Sequence, residues 1–280
     1  MGLMTVFGVA RRGYFIPYRY AADLPEPGTV SPYPALEEIF DRYQSDISSL
    51  IDEINTLAPR LDAINGGPGQ QPRWNQGWFP RLDAAAAYCM VHRQRPARII
   101  EIGSGHSTRF IARAVSDGGL ETRIISIDPA PRATTDALHI EHIQCKAHEA
   151  DEALFAELAP GDILFIDSSH ILMPGSDVDF LLNRILPNLA AGVVIHFHDV
   201  FLPDDYPQNW TWRGYNEQLG VAPLITGGAV DILFASQYAV TRMSEKLAGT
   251  VVERLPLMDG AVESSLWLKK RTPVNSAELK

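Results

Sequence analysis

Cysteine is nearly missing from this chain: Cys89 and Cys145 are the two in 280 residues. They cannot build a disulfide framework, which argues against a stapled secreted scaffold and fits a reducing, cytoplasmic setting. Positive charge is also short, with 24 Lys and Arg against 34 Asp and Glu and a formal net charge of −10. Holding a nucleic-acid backbone needs a basic face, so nucleic acid is excluded as the main partner. Long apolar runs are absent. The longest, Ala84 to Val91, is far below the ~20 residues that cross a bilayer. Met1 to Arg12 places its apolar residues before Arg11-Arg12, the reverse of a secretory leader, and no small-residue cleavage site follows. The expectation is a chain without a membrane partner.

What is present is an ordinary globular composition, 46% apolar and 21% charged, long enough to bury a substantial core without staples. Histidine placement is unusual. Seven of eight lie between His106 and His198, and His92 alone falls outside.

Residues 1–72 read as an N-terminal extension and 73–280 as an α/β domain. The extension opens with aromatics and prolines, then shows a helical period over 34–58. Leu36, Ile39, Phe40, Tyr43, Ile47, Leu50, Ile51, Ile54 and Leu57 form one stripe, ended by Pro59 and the Gly66–Gly69 run. Two coverings suit the stripe: the chain's own core, or a second copy in a homo-oligomer. An Ala-rich helix follows at about 80–92.

From Arg98 onward strands alternate with helices. Strands are expected at 98–102, 123–127, 140–146, 162–166 and 193–197, as short apolar runs suited to a parallel sheet covered on both faces. Helices fit at 107–117, 149–158 and 176–189, with a weaker one near 131–138 and another at 213–224. Two last strands, 230–236 and 264–270, are separated by irregular sequence, which suggests a closing antiparallel pair. The fold class is therefore α/β: a doubly wound, mostly parallel seven-stranded sheet with an antiparallel pair and an N-terminal helical extension.

The first strand ends in Glu101-Ile-Gly103-Ser104-Gly105-His106-Ser107-Thr108. Gly103 and Gly105 permit a sharp turn and close approach to a ligand, and Ser107 or Thr108 can cap the helix that follows. Two ligand classes fit. A dinucleotide usually wants a third glycine, where Thr108 stands. S-adenosylmethionine wants an acid near its cationic amine, which Glu101 provides. Asp128, ending the second strand, can accept from ribose hydroxyls of either. The competing explanation of Glu101 is a strand-end acid paired with Arg98 or Arg123.

These residues, with Leu164-Phe-Ile-Asp-Ser-Ser-His170 and His196-Phe-His-Asp-Val-Phe-Leu-Pro203, make the chain resemble the class I S-adenosylmethionine-dependent methyltransferases over about residues 75–270. The closest likeness is to metal-dependent O-methyltransferases of small molecules such as catechols and macrolide sugars. The resemblance implies that Glu101, Gly103, Gly105 and Ser107 line the methionine end, with Ser104 in the same turn among the cofactor-binding residues. It implies Asp128 at the ribose, and Ala147 and His148 near the adenine.

Asp167 and His170 follow the fourth strand, and His198 and Asp199 follow the fifth. Four titratable groups at neighbouring strand ends are costly unless paired, hydrated or metal-bound. The carboxylates suit Mg²⁺ or another divalent cation, and a histidine titrates in the range of a general base. The resemblance assigns Asp167 and Asp199 to a metal and His170 to proton removal. His198, where relatives often carry an oxygen ligand, is a second catalytic candidate and would favour a softer metal. His196 shares a strand face with His198. Trp74, Trp78, Phe79, Asp204, Asp205, Tyr206, Trp210 and Trp212 are candidates to hold an acceptor, and Arg213, Asn216 and Glu217, at the start of the next helix, are expected to point back to the crevice. The sequence thus points to methyl transfer to a small-molecule hydroxyl. An NAD-dependent oxidoreductase and a cofactor-binding protein without catalysis are the alternatives.

Overall fold

The computed structural model describes residues 2–26, 28–67, 69–131, 135 and 137–272. The chain begins with a short exposed helix α1 (Gly2–Val6) and an extended arm. The stripe over 34–58 then forms α2 (Pro34–Arg42) and α3 (Gln44–Thr56), followed by α4 (Ala58–Asp62). One continuous helix was expected, but Tyr43 and Leu57 leave helical geometry, with ψ of 7° and 4°. Pro59 starts α4 rather than ending α3, because a proline in the first turn forfeits no helical hydrogen bond. Leu36, Phe40, Ile47, Leu50, Ile51 and Ile54 are all buried. The stripe is covered inside this chain, chiefly by the sheet and the next helix.

That helix, α5 (Arg81–Gln94), is buried from Leu82 to Val91. The sheet proper follows: β1 (Arg98–Ile102), α6 (His106–Asp117), β2 (Arg123–Ile127), β3 (Glu141–Ile143), α7 (Glu152–Ala156) and β4 (Ile163–Ile166). A helical stretch over residues 177–188 opens as α8 (Asp177–Phe180) and leads to β5 (Val194–Phe197). Then come α9 (Gln218–Thr226), β6 (Val230–Ala235), α10 (Ser236–Arg242), α11 (Ser244–Leu247), α12 (Val251–Arg254) and β7 (Leu266–Lys270).

The seven strands are ordered β3-β2-β1-β4-β5-β7-β6. The first five pair in parallel, and β7 runs antiparallel to β5 and β6. The expected fold class is what the chain adopts. Differences are local. The third strand is three residues rather than seven, at an exposed edge where little burial rewards extension. The connection from β6 to β7 is helical, not irregular. The expected helix at 213–224 splits into a 3-10 turn over Gln208–Arg213 and α9, with the left-handed Gly214 between them. The helix expected near 131–138 falls largely outside the described residues. No helix among the described residues is long and apolar enough to cross a membrane.

Topology sets the site. Strand order reverses between β1 and β4, so connections leave these strands in opposite directions and open a crevice at their carboxyl ends.

Candidate active site

Gly103 turns the chain at the end of β1 with φ of +88°, and a Cβ there would lie 2.4 Å from the carbonyl oxygen of Asp167. Only glycine fits. The N–H of Asp167 donates to Ile102 at 2.9 Å, which locks the glycine turn against the end of β4. Gly105 differs: its φ of 167° lies outside the left-handed region, and a Cβ there would meet open space.

Glu101 lies beneath the turn, fully buried. It accepts hydrogen bonds from the Ser107 hydroxyl at 2.6 Å and the Thr108 hydroxyl at 2.7 Å. Thr108 in turn accepts the N–H of Gly105 at 2.9 Å. Burial pushes the Glu101 carboxyl up to about 8. It pairs with neither Arg98 nor Arg123, which face Glu157 and Glu141. Direct contact with a cofactor amine, as the sequence suggested, does not match this placement, since Glu101 lines neither of the two clefts described below. Glu101 holds the turn and the start of α6 together.

Asp128 follows β2. One carboxylate oxygen accepts from Ser104 at 3.0 Å and the other from the N–H of Ala130 at 2.7 Å. Gly103, Ser104, Asp128, Ala147 and His148 line one cleft of about 460 Å³, which Tyr14 of the arm also borders. Ser104 and Asp167 line this cleft and also a second one beside it. The second is smaller, about 50 Å³ of enclosed space, walled by Gly105, Ser107, His198, Asp199, Trp78, Phe79, Trp210 and Arg213 among others.

The four polar residues expected at the ends of β4 and β5 do converge. Nε2 of His170 lies 3.3 Å from Asp167 and 3.5 Å from Asp199. Nδ1 of His198 lies 3.7 Å from Asp167 and 3.4 Å from Asp199. Burial disfavours charge on both histidines. For His170 the neighbouring Asp167 and the hydrogen bond to Glu217 overcome it, and for His198 the charge of Asp199 with the nearby Asp167 and Asp83 does so. Both are lifted well above the ordinary histidine value. Burial acts on Asp167 in the opposite sense, but the two imidazoles beside it hold its carboxyl well below the usual range. His170 and Asp199 adopt φ of 60° and 56°, a left-handed conformation that is uncommon outside glycine and is held here by surrounding bonds.

Two expectations change. His170 lines neither cleft: it is buried behind the carboxylates, with Nδ1 on Glu217 at 2.8 Å. A proton acceptor must reach the acceptor hydroxyl, so the position suits positioning and not direct proton removal. Asp167 and Asp199 do not form a cation site as arranged. Each carboxylate is faced by two imidazoles, and among the described residues no group of three or more His, Cys, Asp or Glu side chains could hold a metal ion.

Three participants were not foreseen in these roles. Asp83, the one acid in the buried run of α5, accepts the backbone N–H groups of Ser264 and Ser265 and faces His198 at 3.4 Å. Glu217 orients His170, and Ser264 donates to Asp199 at 3.1 Å. A lone carboxylate inside an Ala-rich helix was the available signal, because buried acids need partners. Of the expected acceptor residues, Trp74 packs in the core on Phe110 at 4.8 Å, and Asp204 pairs with Arg242. Trp212 is 81% exposed. His196 accepts or donates at Ser265 and stacks on Phe165 at 3.8 Å, a structural role with its ring held neutral by burial.

A family model described as a methyltransferase domain matches residues 100–200, the span from β1 to the start of the loop after β5. With the sheet order, this gives the chain a class I methyltransferase fold. No curated protein sequence matches it. Among solved structures it is similar to a Podospora anserina methyltransferase bound to S-adenosylhomocysteine, at 17% identity, covering 88% of this chain and 100% of that one with a TM-score of 0.44. It is also similar to a Bacillus cereus O-methyltransferase in complex with the same compound, at 13% identity, covering 90% and 96% with a TM-score of 0.42. Likenesses at this level assign no chemistry to the present chain.

Proposed function

We propose that the chain transfers a methyl group from S-adenosylmethionine to a hydroxyl of a small molecule. The observation that carries the reading is the meeting of two clefts at Ser104 and Asp167, one beside the glycine turn and the other under the charged cluster. The residues present fit that cofactor. Gly103 and Gly105 keep side chains out of the turn, Asp128 offers a carboxylate for ribose hydroxyls, and Ala147 and His148 border the far end of the larger cleft. When bound, S-adenosylmethionine supplies an electrophilic methyl group and a neutral thioether leaving group.

Asp167 borders both clefts, so an acceptor hydroxyl beside it lies next to the cofactor cleft. Its carboxylate accepts the hydroxyl's hydrogen bond and orients the oxygen. An oxygen that gains a methyl group becomes strongly acidic. A carboxylate of low basicity is therefore a sufficient proton acceptor late in the transfer. His170 and His198 fix the carboxylate from its other side. His198 also lines the acceptor cleft and adds positive charge where the hydroxyl gives up its proton.

Calorimetric titration with S-adenosylmethionine and NAD tests the cofactor, with binding of the first and none of the second expected. NAD binding in preference would overturn the reading in favour of an oxidoreductase. Transfer of labelled methyl to a panel of phenols and sugar hydroxyls tests the reaction. Cofactor binding with no transfer to any member would leave a binding protein.

A further inference from the structure

The acceptor cleft contains one Arg or Lys side chain among its described lining residues, Arg213. Its guanidinium lies over the indole of Trp210 at 4.0 Å and donates to the Tyr215 hydroxyl at 3.1 Å. Trp212 and Tyr215 flank it at 5.3 Å each. No carboxylate among the described residues pairs with it, and its Nε is buried without a partner. The two acids of the cleft, Asp167 and Asp199, are already faced by His170 and His198. His106, the third imidazole lining the cleft or its cluster, is held down to about 4 chiefly by burial and is neutral near pH 7.

A guanidinium stays charged at all ordinary pH, and a buried N–H without a partner is costly. Here the protein fixes the group between aromatic rings, yet the described residues supply no anion to it. A guanidinium edge matches a carboxylate in two parallel hydrogen bonds. The neighbouring walls, Trp78, Phe79 and Trp210, are aromatic, and Trp78 is 58% exposed at the mouth. The enclosed space of about 50 Å³ admits the reacting end of an acceptor, while a ring lies against the indoles at the entrance.

We infer that the acceptor is a hydroxylated aromatic carboxylic acid, whose carboxylate is bound by Arg213. This rests on the cleft being the acceptor site, as proposed above, and sets Arg213 as the residue that selects the substrate.

The test compares 3,4-dihydroxybenzoate with 3,4-dihydroxybenzamide, titrated calorimetrically into the chain loaded with S-adenosylhomocysteine. The wild-type protein is expected to bind the acid about tenfold tighter or more, as for a charge-assisted pair. Arg213→Gln should erase that preference, and Arg213→Lys should keep part of it. Equal binding of the two compounds to wild type, or binding of neither, overturns the inference without any variant. A preference that survives in Arg213→Gln overturns it as well. Methyl transfer to the same pair separates the two readings. Transfer without acid preference removes the inference and leaves the methyltransferase reading. Acid-selective binding lost in Arg213→Gln, with no transfer to any acceptor, supports the carboxylate site and removes the methyl-transfer reading.

Discussion

Oδ2 of Asp83, on α5, lies 3.4 Å from Nε2 of His198 at the end of β5. The same carboxylate accepts the N–H groups of Ser264 and Ser265, which lead into β7. One buried acid thus joins the helix before the sheet, the charged cluster and the closing strand. Asp83→Ala leaves two buried amides unsatisfied and removes the charge that faces His198, and should cost about 3–5 kcal/mol. Asp83→Asn keeps an acceptor for the amides and should cost about 1–3 kcal/mol. His198 is raised in the folded state, chiefly by Asp199 and then by Asp167 and Asp83. A raised histidine adds stability below its unfolded value of about 6.5, and loses it as pH climbs through the folded value. The gap between wild type and Asp83→Asn should therefore be widest below about pH 6.5. Urea unfolding at pH 6 and at higher pH measures it, and an Asp83→Ala protein as stable as wild type would contradict the account.

The two glycines of the turn should respond differently to alanine. At Gly103 the new Cβ meets the Asp167 carbonyl at 2.4 Å, and φ is +88°. Backbone would have to move, at a cost of about 1–3 kcal/mol or more, and both clefts would be distorted. At Gly105 the Cβ enters open space and φ lies outside the left-handed region. Gly105→Ala should melt within a few degrees of wild type and yet bind ligand more weakly, because the methyl group projects into the smaller cleft. Thermal melts alongside cofactor and acceptor titrations distinguish the two. A Gly105→Ala protein with normal affinities would show that the space is unused.

How much of this was legible follows from where the signals are local. Ile99 to Ile102, Ile163 to Ile166 and Val194 to Phe197 are buried on both faces and apolar apart from Glu101 and His196, so the central strands could be placed within a residue. The glycine turn and the acids after β2, β4 and β5 could be placed because strand ends in such sheets are ligand sites. Tertiary relationships were not legible. Nothing local to His170 says that Asn216 and Glu217 donate their N–H groups to its carbonyl and that the Glu217 side chain holds its ring, 47 residues away. Nothing near Asp83 names Ser264. Glu101 was read as facing ligand because strand-end acids often do, whereas it bonds the hydroxyls of Ser107 and Thr108, themselves visible, beneath the turn.

Asp167→Asn keeps the shape of the side chain and removes its negative charge. It should lower kcat about 10²–10⁴-fold, the usual contribution of a positioned proton acceptor. His170→Gln should lower it less, since His170 lines neither cleft and acts by fixing the carboxylates. Single-turnover transfer rates decide between them. Losses in the reverse order would move the proton acceptor to His170.

Removal of divalent metal should leave activity unchanged. The Asp167 and Asp199 carboxylates are faced by imidazole nitrogens at 3.3–3.7 Å, and this pairing meets their charge within the protein. Activity after exhaustive EDTA dialysis, with and without added Mg²⁺ or Mn²⁺, measures this. Loss that is restored by one ion would require the imidazoles to swing aside and the carboxylates to act as ligands.

Glu101→Gln should change how stability varies with pH. Burial raises the folded-state carboxyl to about 8, whereas an unfolded glutamate loses its proton near 4.3. Between those values the folded state holds a proton that the unfolded state has released. This group alone then lowers wild-type stability by about 1.4 kcal/mol for each pH unit, levelling off above pH 8. Glutamine does not titrate, and its amide can accept from one hydroxyl and donate to the other. Every other ionisable group is shared, so the difference between the two proteins isolates this one. Glu101→Gln should gain steadily on wild type from pH 5 to pH 8. Parallel stability curves from urea unfolding across that range would mean that Glu101 is already ionised in the folded protein.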